Sequence, residues 1–355
     1  MESVPPFLKF LIRRLLTVPV TLLIITAVLY GIIMLAPAEE RAMLYWPPRS
    51  RNLAPEVAEN IQQQIIEDHH LDRPYLQQYS SWLLNLIKGD WGYSPVMNSD
   101  VLPLLLKRTP VTLELTLYSI LLFIPLGLLS GVLAGWRQHS SSDAAFRFAA
   151  FIATSIPPFI LALSLLSVFY VGLRWFPIGR TSLIELSLSS SDFKAYTGLL
   201  TIDGLLNGRF DVTLDAFRHL VLPSFVLSLT HWATLGRITR AAMIEEKQKE
   251  YVTAVRARGI PQRSVIWRHA FRNTLPPALT SSALSAASLI TGVFIIEAVF
   301  DFNGLSALIT RSILDAPDAP LALGFAVYSV LLVIPWLLIL DIARAIIDPR
   351  LGEAI

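Results

Sequence analysis

The residue types that carry catalysis are present in this chain, but not at catalytic spacing. No G-x-x-x-x-G-K-[ST] run occurs, so there is no phosphate loop with which to hold and hydrolyse ATP. H-E-x-x-H and G-x-S-x-G are also absent, which removes the common zinc-hydrolase and serine-hydrolase readings. The six histidines, His69, His70, His139, His219, His231 and His269, fall in different segments. His69 and His70 have metal-ligating chemistry, yet adjacent histidines on a polar stretch are ordinarily just solvated. There is no cysteine, hence no disulfide and no thiolate metal site. The chain reads as a non-enzyme with no metal and no cofactor. Two carboxylates, Glu114 and Glu297, lie inside apolar stretches, where an ionisable group is a functional candidate by default. Both sit near the end of a stretch, and Glu297 reads as a structural contact.

The most informative polar segment runs from 237 to 277, RITRAAMIEEKQKEYVTAVRARGIPQRSVIWRHAFRNTLPP. Residues 243–258 are rich in helix formers and contain no breaker. Gly259 stands where a helix C′ residue belongs, and Pro261 follows. A second short helix is predicted to start at Pro261 and to end before Pro276 and Pro277. Two helices with a sharp corner at Gly259 are more than a topogenic basic loop requires. The small apolar set Val252, Ala254, Val255 and Ala257, flanked by Arg256 and Arg258, has the character of a docking element for a cytoplasmic protein.

The elements that must position this corner are membrane helices. The chain has 355 residues, 54% hydrophobic and 16% charged, against roughly 25% charged in soluble domains. A formal net charge of +2 is too small to point to nucleic acid. About 20 mostly apolar residues cross a bilayer, and six stretches qualify: 15–36, 111–135, 148–172, 220–235, 278–300 and 321–340. The fourth is the weakest, interrupted by Pro223, His231 and Trp232. Prolines 19, 125, 157, 158 and 335 are tolerable in such helices where neighbours satisfy the freed carbonyls. The first stretch is longer than a signal-peptide core, and Pro37 separates the two alanines of its apparent cleavage site; it reads as an uncleaved signal-anchor. With a cytoplasmic N-terminus, 16 of the 29 Lys and Arg fall in the cytoplasmic pieces. All but one of the rest lie in long outside segments, where the positive-inside rule is weak. Both termini are therefore placed in the cytoplasm, with outside segments at 38–110 and 173–219.

At this point the residues resemble a known family. The loop is similar to the cytoplasmic coupling loop of the binding-protein-dependent ABC importers, with Ala254, Gly259 and Leu275-Pro276 as counterparts of its motif. Thr253 stands in place of the motif's Glu and Val255 in place of its second Ala. These departures, with EYVTAVRARG and WRHAFRNTLPP, resemble the dipeptide, oligopeptide and nickel branch. Leu71-Asp72-x-Pro74, Gly89-Asp90-x-Gly92-Tyr93-Ser94 and Pro110-x-Thr112-x-x-Leu115 fit the same branch, as do EAVFDFNGL (297–305) and DIARAIIDPRL (341–351). There the family usually shows Pro-Gly-Leu-Gly; Asn303 replaces the Pro and Ser306, just after the stretch, the last Gly. The segment 180–218 is longer than the family pattern and the insertion at 38–58 is unusual for it; either changes how the binding protein docks or is tolerated surface loop, and both read as the latter.

The resemblance implies an all-α membrane protein with six transmembrane helices in the type I ABC importer permease architecture, with an extracytoplasmic segment between helices 1 and 2. Residues 1–37 would form the N-terminal cytoplasmic tail and first helix, 38–107 the extracytoplasmic segment, 108–347 a five-helix permease core with the coupling loop 237–277, and 348–355 a cytoplasmic tail. It further implies a bacterial or archaeal cytoplasmic membrane and a homologous second permease subunit, in a heterodimer. Two ABC ATPase subunits and an extracytoplasmic solute-binding protein complete the set, and peptides are the implied solute. ATPase coupling would fall to Tyr251, Thr253, Ala254, Arg256, Ala257, Arg258, Gly259, Leu275 and Pro276. The competing reading, an ion-gradient-driven secondary transporter, predicts internal repeats with matching broken helices; stretches one to three and four to six show no such match.

Overall fold

The computed structural model describes residues 6–45, 55–183, 193–310 and 318–347. The expected tail 348–355 and parts of the long segments 38–58 and 180–218 lie outside these. The described residues are almost wholly helical. In chain order they form α1 (Pro6–Ile33), α2 (Ala38–Ala42), α3 (Pro55–Asp68), α4 (Tyr75–Ile87), a two-residue hairpin of β1 (Tyr93–Ser94) and β2 (Ser99–Asp100), then α5 (Val101–Trp136) and α6 (Ser141–Ser155). There follow α7 (Pro158–Leu165), continued by a π-helical turn Leu166–Gly172, α8 (Leu200–Leu206), α9 (Phe210–Lys247), α10 (Glu250–Ala257), a short turn with a π-helical stretch Val265–Ala270, α11 (Phe271–Val299), α12 (Leu305–Thr310) and α13 (Ala319–Ile347).

Among the described residues three helices are long and apolar enough to cross a membrane by themselves: the 16–33 part of α1, α5 and α9. The third expected stretch is not one rod. It is broken at residues 156–157, where α6 and the α7 segment meet at 99°. The cause is Pro157-Pro158: a proline disfavours helix in the residue before it, Ile156 is extended, and Pro158 restarts the helix at its first position.

The chain divides into two compact units. The first comprises 1–10, 111–303 and 335–355. Its main core lies among α5, α7, α9 and α11, with Leu115, Phe123, Leu235, Leu289 and Ile296 fully buried. α5 and α9 approach closely because Gly127, Gly131 and Gly135 recur every fourth residue along α5, and backbone or side-chain atoms of α9 occupy the space a side chain would need. A Cβ on Gly131 would meet the Gly236 carbonyl at 2.5 Å, and one on Gly135 the Arg240 carbonyl at 2.7 Å. Glu114 is buried and accepts from the Thr201 N–H at 2.8 Å, the Thr201 hydroxyl at 2.7 Å and Arg180 at 3.0 Å. Glu297 is likewise buried and accepts from the Thr112 hydroxyl. Part of the segment 180–218 is thus built structure rather than loop: α8 is docked on Glu114, and Asp203 accepts from Thr197 and Gly198.

The second unit comprises 11–110 and 304–334. α4 is tied to α1 by the Tyr75 hydroxyl on the Ala27 carbonyl and by Tyr79 on Thr26. Arg41, in the segment expected to be surface loop, is buried and donates to the carbonyls of Ala36 and Leu71 and to Gln78. The GDWGYS run makes a turn whose Gly89 and Gly92 have φ of +90° and +85°, a conformation open to glycine. Ser94, fully buried, donates to Asp318, which also accepts from the Leu321 N–H and so caps α13.

Candidate functional site: the helical corner

The predicted helix 243–258 is two helices. α9 ends at Lys247, Gln248 and Lys249 form a corner, and α10 starts at Glu250. No Gly or Pro marks this break; packing overrides propensity. By turning at Lys249, whose ψ is 145°, the chain brings Val252 into a cluster with Val132, Trp136, Met243, Val265 and Ala270, with Val255 packed against it. Val252 is therefore an anchor and not part of an outward docking face, which corrects the expectation. The face that remains exposed is Thr253, Ala254, Ala257 and Arg258, residues one turn apart on the same side of the helix. Arg256, also exposed, stands over the Trp136 ring with its guanidinium carbon 4.8 Å from the centroid, a cation–π contact. Lys247 donates to the Trp136 carbonyl at 2.7 Å.

α10 ends as the sequence predicts. Gly259 has φ +73° and its N–H donates to the Arg256 carbonyl at 2.9 Å. Nothing lies within 4 Å of a Cβ built there, so the glycine answers to backbone conformation and not to crowding. The second helix does not end before Pro276; α11 runs through both prolines to Val299. Such prolines are tolerated in long helices packed among others. This places Leu275 and Pro276 half-buried inside α11.

Glu246 is the residue that sequence reasoning missed. It is 5% exposed, and its carboxylate accepts from Lys249, from the Tyr251 hydroxyl at 2.6 Å and from Asn273 at 3.4 Å, while Asn273 also donates to the Tyr251 hydroxyl at 2.9 Å. Burial alone would raise this carboxyl; the bonds from Lys249, Tyr251 and Asn273 outweigh it and hold it below the usual range. Burial, together with donation to Glu246, pushes the Tyr251 phenol up to about 12. One signal was in the sequence: an acid five residues before a tyrosine across a Lys-rich corner. A second layer supports the end of α9. Arg240 forks onto Asp143, fully buried near the start of α6, and Ser140 caps that helix by accepting from the Asp143 N–H.

Elsewhere, two open clefts of about 400 and 510 Å³ are lined respectively by Trp82, Trp91 and His69 and by Arg174, Phe176 and Arg218. His69 is stacked on Tyr45, 4.1 Å between centroids, and among the described residues no three His, Asp or Glu side chains converge as metal ligands.

Long apolar helices, two of them packed through glycine and one leading into a helical corner, define a helical membrane protein. Comparison with known proteins makes this specific: residues 124–353 match the binding-protein-dependent transport system inner membrane component family, and residues 7–116 match the N-terminal region of such membrane components. The chain belongs to this family. It is 33% identical over 344 residues to the oligopeptide transport system permease protein AppB of Bacillus subtilis, covering 96% of this chain and 98% of that one. It is 31% identical over 345 residues to the di/tripeptide transport system permease protein DppB of Pseudomonas aeruginosa, covering 97% and 98%. The dipeptide transport system permease protein DppB of Alkalihalophilus pseudofirmus is 29% identical, with 97% and 99% covered. The chain is therefore an all-α, membrane-embedded permease component of a binding-protein-dependent transport system, and the secondary-transporter reading is not favoured.

Proposed function

We propose that this chain is one of two homologous permease subunits of an ATP-driven importer of peptides, with six membrane crossings and both termini in the cytoplasm. An extracytoplasmic binding protein delivers the solute, the pathway lies between the two permeases, and two ATPase subunits supply the energy that a chain without a phosphate loop cannot. The peptide assignment rests on the relatives named for oligopeptide and dipeptide transport. The observation that carries the coupling role is α10 itself. Val252 and Val255 fasten it from within, while Thr253, Ala254, Ala257 and Arg258 are left open on one face, ended by the left-handed Gly259. Small side chains at 254 and 257 permit close approach of a partner surface. Tyr251 and Arg256 hold the helix in place, and Leu275 and Pro276 act from within α11. For ATP to drive the cycle, the ATPase pair must bind α10 differently in the outward- and inward-facing states.

The test is a mild-detergent purification of the tagged chain from its native membrane, with the co-purifying proteins identified by mass spectrometry. A phosphate-loop ATPase and a second multi-spanning permease are the expected partners, and a co-purifying binding protein gives direct access to the solute. A chain recovered alone contradicts the proposal.

A further inference from the structure

We infer that Glu246 is a positioning residue that closes the first corner of the coupling segment, so that force on α10 reaches α9 and α11 together. The inference rests on the coupling role proposed above and adds the device that makes it mechanically effective. α10 is eight residues long and lies between two corners. At the second, Gly259 sits in open space. At the first, Gln248 and Lys249 offer no rigid residue, and no side chain caps the N-terminus of α10. Val252 and Val255 fasten the middle of the helix, but with such corners at both ends it can still pivot about that anchor under load.

The Glu246 carboxylate removes that freedom. It belongs to the last turn of α9, yet it takes donors from the corner (Lys249), from α10 (Tyr251) and from α11 (Asn273). The direct Asn273–Tyr251 bond closes the ring. At 5% exposure the carboxylate is stable only because these donors satisfy it, so the bonds are a condition of the fold at this point and not an optional surface contact. In addition, Lys247 and Arg256, which flank the same corner and helix, both engage Trp136 at the end of α5. Three long helices, α5, α9 and α11, are thereby joined to one eight-residue lever. A neutral amide at 246 preserves volume but presents an NH₂ group to at least one of the present donors, and loses the charge that strengthens all of the bonds.

The experiment uses the whole transporter, with its ATPases and binding protein, in proteoliposomes, and reads ATP hydrolysed per labelled oligopeptide taken up. Glu246→Gln is expected to raise this ratio about tenfold, the equivalent of one charge-assisted hydrogen bond, with the ATPase subunits still bound. Tyr251→Phe, which removes one hydroxyl and will insert if Glu246→Gln does not, is expected to move the ratio in the same direction by less. A wild-type ratio in both variants overturns the positioning role while leaving the proposed function intact. A wild-type complex that retains no ATPase overturns both.

Discussion

Arg240 reaches from α9 to Asp143 near the start of α6 with two nitrogens, Nε to one carboxylate oxygen at 2.5 Å and Nη2 to the other at 2.9 Å. The carboxylate is fully buried and the guanidinium largely so. The His139 N–H also donates to Asp143, at 3.0 Å. The hydrogen bond from Arg240, helped by that N–H and by the charges of Arg240 and Arg147 against the effect of burial, brings the Asp143 carboxyl down to about 2. Breaking a buried pair from one side strands a charge. Asp143→Asn is therefore predicted to destabilise the protein by about 3 kcal/mol, read as a lower melting temperature in detergent. A depressed carboxyl contributes stability that is fully present above its unfolded value and is lost as pH falls through its folded one. The gap in melting temperature between wild type and Asp143→Asn should accordingly stay constant from pH 8 to pH 5 and close only below about 4.

Two glycines are predicted to fail differently on substitution. Gly131→Ala drives a Cβ against the Gly236 carbonyl, 2.5 Å away, and backbone cannot rotate aside. α5 and α9 must separate, at about 1–3 kcal/mol, and monodisperse protein should be recovered in lower yield. Gly259→Ala meets open space and carries only the strain of φ +73°, about 1 kcal/mol.

Gly259→Val is predicted to uncouple transport while leaving the chain inserted and assembled, because a β-branched side chain resists the left-handed turn that ends α10. Membrane abundance and uptake, measured on the same cells, check this; normal uptake contradicts the assigned role of the turn.

Asp318 is predicted to matter through two separate bonds. Asp318→Ala removes both the cap on Leu321 and the acceptor for buried Ser94, while Asp318→Asn keeps an oxygen for the cap. Loss of a cap amounts to about 1 kcal/mol, so thermal stability should fall in the order wild type, Asn, Ala.

What was legible in the sequence was what depends on local chain chemistry. Apolar length marks α1 and α5 and, more weakly because Pro223, His231 and Trp232 interrupt it, α9; Gly259 followed by Pro261 marks the end of α10. What was not legible depends on tertiary contacts. The corner at Gln248–Lys249 carries no breaker and exists because Val252 must reach Trp136 and Met243. Pro276 and Pro277 read as a helix end but lie inside α11. Arg41 and Arg180 stand in stretches that look like exposed loop, yet Arg41 is buried among carbonyls and Arg180 pairs with buried Glu114. The repeat of Gly127, Gly131 and Gly135 is visible in the sequence and is a packing signal; only the structure shows that α9 is the helix packed against it.

The absence of native cysteine permits a direct test of the central claim, that the outer face of α10 meets an ATPase. Single-cysteine variants Thr253→Cys, Ala257→Cys and Val252→Cys would be placed in the assembled complex and treated with a short cysteine-to-amine crosslinker. The account predicts that the two exposed positions, 253 and 257, crosslink to an ATPase subunit in a nucleotide-dependent way, and that buried position 252 does not. Absence of any ATPase crosslink from 253 and 257 in an assembled, ATP-hydrolysing complex would contradict it.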